Sequence, residues 1–105
     1  MRLLVTLALL APLALMPCES ARAADPGRAQ GIVQGKCFIC HGAEGESSSP
    51  VFPRLAGQHA QYTERQLKAF NQRERTNDNA VMHGVAVKLT ELELKAVASF
   101  ISGLK

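Results

Sequence analysis

The clearest alternation of apolar and polar positions lies near the C-terminal end. Leu94, Val97, Ala98 and Ile101 follow the i, i+3, i+4, i+7 spacing of one buried helix face. Thr90-Glu91-Leu92-Glu93 precedes them as a capping box, with Thr90 at the cap and Glu93 reaching back. Gly103 marks the end of that helix. A second helix is predicted from His59 to about Asn71, with Tyr62, Gln66, Leu67 and Phe70 in helical steps. A third is predicted from Pro26 to about Lys36, started by Asp25 as cap and Pro26 at the first position. Its buried stripe is Ala29, Ile32 and Val33. Gly31 and Gly35 are poor helix formers, which suggests close approach of another helix or of a bound group.

The connecting stretches are readable by composition. Gly42 to Pro53 is rich in Gly, Ser and Pro and reads as loop. Arg73 to Asn79 is polar and turn-like, and residues 80–89 are apolar without a regular period. No alternating strand pattern of useful length and no internal repeat occurs. The fold class expected is all-α, with three to four short helices.

The N-terminus has a different character. Residues 3–16, LLVTLALLAPLALM, are apolar apart from Thr6 and Pro12, follow Arg2, and lead to Ala21-Arg22-Ala23. A charged start, an apolar run and an A-x-A site describe a secretory signal peptide, expected to span 1–23. A membrane-spanning helix needs ~20 apolar residues, and this run is shorter and broken by Pro12. Lipid attachment at Cys18 is a competing reading, weakened by Pro17 where a small residue is expected; an uncleaved anchor is another. Residues 24–105 form one domain, with ten Lys or Arg against eight Asp or Glu, a net charge of +2. With no clustered basic stripe, the composition argues against nucleic-acid binding. A domain this small commonly needs a metal, a disulfide or a cofactor to complete its core.

Two of the three cysteines remain after residue 23, in Cys37-Phe38-Ile39-Cys40-His41. A disulfide between thiols so close closes too small a loop to stabilise much. C-x-x-C-H instead has the form required for covalent haem: two thiols for the two vinyl groups, then a histidine for the iron. A thioredoxin-like pair would need a βαβ setting, which is missing. A zinc site would need further ligands, and His41, His59 and His83 match no standard spacing.

The opposite face of such an iron needs a ligand as well. Met82, the one methionine after residue 23, lies about 40 residues downstream of His41. A thioether there favours Fe(II) and raises the potential. The alternatives are Met82 as core filler and its neighbour His83 as the ligand. His59 reads as a surface or cap residue.

These residues make the chain resemble a class I cytochrome c, most similar to one half of the two-haem bacterial cytochrome c-four family. Besides CFICHG, the resemblance rests on FPRLAGQHAQYTERQLKAF (52–70) and VMHGVAVKLTELELKAVASFISGL (81–104), and it covers nearly all of 27–105. It implies one covalent haem c on Cys37 and Cys40, axial ligands His41 and Met82, the Pro53 carbonyl orienting His41, and Leu55 packed on haem. It implies that the first and last helices cross through their small residues. Phe100 departs from the family's usual tyrosine, and only one haem motif is present.

The function expected is electron transfer in the periplasm. Donor and acceptor would be redox proteins such as a membrane cytochrome complex, a terminal oxidase or a periplasmic dehydrogenase, with transient docking at a membrane surface. Lys36 and Lys88 are candidates for steering a partner and Arg54 for a propionate contact, each against a plain surface role. Two other readings are an electron-entry subunit of a larger enzyme, and a haem sensor or enzyme with a labile sixth position.

Overall fold

The computed structural model describes residues 11, 12, 14 and 26–105. Apart from three positions, the expected signal peptide, its cleavage site and Cys18 lie outside the described residues, as does the Asp25 cap. The described chain forms α1 (Pro26–Ile32), a π-helical segment (Val33–Cys37), α2 (Phe38–His41), α3 (Ala60–Asn71), α4 (Val81–Ala86) and α5 (Glu91–Ser102). No strand occurs among the described residues, in keeping with the expected all-α class.

The first helix does not end at Lys36 as its pattern suggests. It runs on through CFICH to His41, because one widened turn keeps it going: the Phe38 amide donates to the Val33 carbonyl, five residues back. Inserting a residue this way turns Val33, Cys37 and His41 to the inside, each less than a tenth exposed, while Ile39 stays 78% exposed. Gly42 then stops the helix at φ 93°, its amide bonded to the Phe38 carbonyl at 3.0 Å. A Cβ at Gly42 would lie 3.0 Å from the Ser47 amide nitrogen, so glycine is needed there.

Gly31 and Gly35 behave otherwise. Both are exposed, and a Cβ on either would have no neighbour within 4 Å. They are therefore not places where another helix comes close. Helix α1 instead buries Ala29, which lines one recess together with Ala96 and Ser99 of α5.

The last helix starts as its sequence predicts. The Glu93 amide donates to the Thr90 hydroxyl at 3.2 Å, and the Thr90 amide to Glu93 Oε1 at 3.0 Å. Glu93 Oε2 also takes Arg28 Nε at 2.9 Å, so one buried carboxylate both caps α5 and holds α1. Arg28 is two-thirds exposed, so this ion pair adds orientation more than stability. The stability comes from the apolar cluster of Val33, Cys37, Leu67, Leu89, Leu94, Val97 and Ile101, with Ile32, Phe38, Leu55, Met82 and Phe100 packed on it. Each fully buried aliphatic side chain is worth ~1.5–3 kcal/mol.

Helix α3 buries Thr63, Leu67 and Phe70, whereas Tyr62 is 45% exposed and Gln66 bonds Arg75. Leu67 and Phe70 of the expected stripe are thus buried, while Thr63 takes the inward place expected of Tyr62. Thr63 tolerates burial because its hydroxyl donates to Gln58 Oε1 at 3.0 Å. Residues 80–89, too irregular to assign from sequence, form the short α4 and a turn that buries Leu89.

Candidate functional site

Two segments meet around the core: the end of the first helix with the loop behind it, and the start of α4. The first carries Cys37, Cys40 and His41. Both cysteines are free, Cys37 buried and Cys40 partly so. Burial pushes the Cys37 thiol up to about 11, with Lys36 opposing the shift and Cys40 adding to it. Before attachment to any group, a thiol so buried keeps its proton at neutral pH. That is the reverse of a thiol-exchange site, which needs a stabilised thiolate. Among the described residues no group of three or more His, Cys, Asp or Glu is placed to hold a metal ion by itself.

His41 is 6% exposed and fully defined by its neighbours. Its Nδ1 lies 2.7 Å from the Pro53 carbonyl. A carbonyl only accepts, so Nδ1 carries the proton and the lone pair sits on Nε2. The Phe52 ring meets the imidazole edge-on, with centroids 6.1 Å apart. A buried imidazole held by one nitrogen and free on the other is the posture of a metal ligand.

The loop that delivers Pro53 is held from inside. The Ser47 amide donates to the His41 carbonyl at 2.8 Å, closing the chain back onto the helix end. The Ser47 hydroxyl donates to the Phe52 carbonyl, with the Ser49 carbonyl also in reach. Further along, the Leu55 and Ala56 amides both bond the Gly45 carbonyl, at 2.9 and 3.0 Å. Ser47 was not a candidate from sequence; a serine in a Ser-rich loop carries no distinguishing signal.

Met82 lies in the first turn of α4, partly buried against the same cluster as Cys37 and Leu55. Its neighbour His83 is also partly buried, and its Nδ1 bonds the Phe70 carbonyl at 2.9 Å, joining α4 to the end of α3. Asn71 Nδ2 adds a second tie, to the Ala86 carbonyl at 3.0 Å. Asp78 accepts the His83 amide at 2.8 Å and the Ala80 amide at 3.2 Å. The His83 amide is the chief cause holding the Asp78 carboxyl below its ordinary value.

The remaining candidates are peripheral. His59 is exposed at the N-cap of α3 and makes no side-chain cap. Arg54, Lys36 and Lys88 are exposed.

The donor set fits a covalently held haem. Two thiols stand at the end of one helix, a buried imidazole with a free Nε2 follows directly, and a soft thioether packs on the shared core.

Comparison with known proteins agrees. The family model described as Cytochrome c matches residues 27–105. The chain is 45% identical over 71 residues to cytochrome c4 of Azotobacter vinelandii, covering 65% of this chain and 34% of that one. It is 40% identical over 70 residues to a protein of Stutzerimonas stutzeri (strain A1501) named thiosulfate dehydrogenase electron acceptor, covering 66% of this chain and 32% of that one. The crystal structure of reduced recombinant cytochrome c4 from Pseudomonas stutzeri superposes with a TM-score of 0.66 at 36% identity, over 77% of this chain and 50% of that one. The chain thus spans about a third of the length of these curated relatives. On fold, donor chemistry and these likenesses, the chain belongs to the cytochrome c family of haem-based electron carriers, with covalently bound haem c.

Proposed function

We propose that this protein is an exported one-electron shuttle with thioether links at Cys37 and Cys40, and with His41 and Met82 as the axial pair. The observation that supports it best is the buried His41 imidazole, directly after the two thiols, with Nδ1 on the Pro53 carbonyl and Nε2 free. Haem, when bound, supplies an Fe(III)/Fe(II) couple.

The chain's own residues tune and protect that couple. His41 would bind through Nε2, its basicity raised by the bond to Pro53. Met82 would give a soft sulfur that favours the reduced state. Leu55 and the aliphatic cluster would keep water from the site. With His41 and Met82 both holding the iron, no substrate would reach it, and electrons would pass at a distance to a docked partner. Ile39 and Val51, 78% and 76% exposed, flank the site in sequence and offer apolar contact for docking.

Export by residues 1–23 would place the protein in the periplasm. No helix among the described residues is long and apolar enough to cross a membrane. The relative named as an electron acceptor for thiosulfate dehydrogenase supports a dehydrogenase of that compartment as donor, with a membrane cytochrome complex or terminal oxidase as acceptor.

The test is mass spectrometry of the exported protein followed by a redox titration with optical spectra. Covalent haem, a reversible one-electron wave and a weak near-infrared sulfur-to-iron band are expected. A high-spin, five-coordinate spectrum would overturn the ligation and favour a sensor or enzyme.

A further inference from the structure

We propose that Asp78 is a positioning residue for Met82: by bonding amides on both sides of it, Asp78 fixes the turn that presents the Met82 thioether. This rests on the reading of Met82 as an axial ligand.

Three bonds converge on Asp78. Its backbone carbonyl accepts the Val81 amide at 3.0 Å. Its Oδ2 accepts the His83 amide at 2.8 Å and its Oδ1 the Ala80 amide at 3.2 Å. Met82 lies between Val81 and His83, so the amides on either side of it both answer to one residue. Ala80, at the N-cap of α4, makes no side-chain cap of its own. Asp78 takes over that task from two positions upstream.

The turn needs such a hold. Asn79 and Ala80 have φ of 49° and 63°. Two successive non-glycine residues in the left-handed region are unfavourable, because each Cβ crowds its own backbone. Such a conformation persists only where its surroundings over-determine it. From the other side, His83 Nδ1 on the Phe70 carbonyl and Asn71 Nδ2 on the Ala86 carbonyl fix α4 to α3. Those ties anchor the body of the short helix, and Asp78 sets the rotation of its first turn. Losing the carboxylate lets residues 79 and 80 relax toward right-handed conformations and turns Met82 away. A thioether is a weak ligand, so its place depends on the protein more than on the bond it makes.

The test uses full-length holoprotein of the wild type, Asp78→Ala, Asp78→Ala with Ala80→Gly, and Met82→Ala. Added imidazole probes how easily the sixth ligand is displaced. The near-infrared sulfur-to-iron band reports the ligand itself, and far-UV circular dichroism in guanidinium reports the helices. Asp78→Ala is expected to bind imidazole about tenfold more tightly, the scale of a lost charge-assisted hydrogen bond. Its band should vanish at lower guanidinium than its helices do. Ala80→Gly in that background should recover part of the loss, because glycine takes a positive φ freely.

Wild-type imidazole affinity in Asp78→Ala overturns the proposal. So does a band that fades together with the helices, since Asp78 would then only stabilise the fold. Where Asp78→Ala yields no folded holoprotein, Asp78→Asn keeps one acceptor oxygen and should fall between; wild-type affinity there overturns the proposal equally. Met82→Ala separates the two readings. If it keeps the band, Met82 is not a ligand and the proposal falls with that reading. If it loses the band while Asp78→Ala matches wild type, only the positioning role fails.

Discussion

The Nδ1 of His41 lies 2.7 Å from the carbonyl oxygen of Pro53, twelve residues along the chain, and the loop between them is cross-braced by Ser47. The acceptor is a main-chain carbonyl, which every residue carries, so replacing Pro53 does not remove it. Ser47→Ala is the cleaner probe. Freed from the Phe52 carbonyl, the loop should hold Pro53 less firmly and weaken the His41 bond. A less basic imidazole stabilises Fe(III) less, so the midpoint potential should rise. The change should be at most a few tens of millivolts, in keeping with a net hydrogen-bond worth of ~1 kcal/mol. Voltammetry reads it directly, and a lowered potential would contradict the bond's role.

Met82→Ala should retain covalent haem, lower the potential and open the iron to added ligands, because a soft sulfur donor is removed. His83→Ala should keep the sulfur-to-iron band, since it is Met82 that packs on the cluster holding Cys37. Oxidised spectra of the two variants check both statements. An unchanged spectrum in Met82→Ala, with a changed one in His83→Ala, would exchange their roles.

Stability should fall on acidification partly through Glu93. Its carboxyl is held below the ordinary value, first by the Thr90 amide and then by Arg28. A depressed folded value means that the unfolded chain binds the proton more readily. The contribution is present above the unfolded glutamate value of about 4.3 and is lost as pH falls through the lower folded value. Glu93→Gln should flatten the stability–pH curve in that acid window. Thr90→Ala removes the hydroxyl side of the cap and should cost about 1 kcal/mol at neutral pH. Guanidinium melts at a series of pH values measure both.

Glycine substitutions should divide by position. Gly42→Ala puts a Cβ 3.0 Å from the Ser47 amide nitrogen at φ 93°, and should destabilise by at least ~1–2 kcal/mol. Gly31→Ala meets nothing in the protein within 4 Å, and should be neutral or stabilise by up to ~1 kcal/mol. Thermal melts of the holoproteins decide. A destabilised Gly31→Ala would show that this exposed face is in use.

Much of the fold was legible because its signals are local. A capping box closes within four residues, and the 94, 97, 98, 101 stripe repeats within two turns, so α5 could be read outright. The C-x-x-C-H segment carries its chemistry in five consecutive residues, and Met82 stood out as the one methionine after residue 23. The sequence alone therefore determined the helical class, the order of the main helices and the chemical identity of the candidate donors.

What the tertiary structure decided depends on groups far apart in the chain. Propensity placed a helix end near Gly35 and Lys36, yet packing of Val33 and Cys37 into the core carries that helix through a π turn to His41. The second oxygen of Glu93 finds Arg28, 65 residues away. Helix α3 turns Thr63 inward instead of Tyr62 because Gln58 is there to satisfy the hydroxyl. The α4 turn is held by Asp78, Asn71 and the Phe70 carbonyl, through bonds that no local pattern announces. Periodicity reports which residues want burial, but burial is a contest between faces. Only the assembled core, with every buried polar group matched to a partner, settles which face wins.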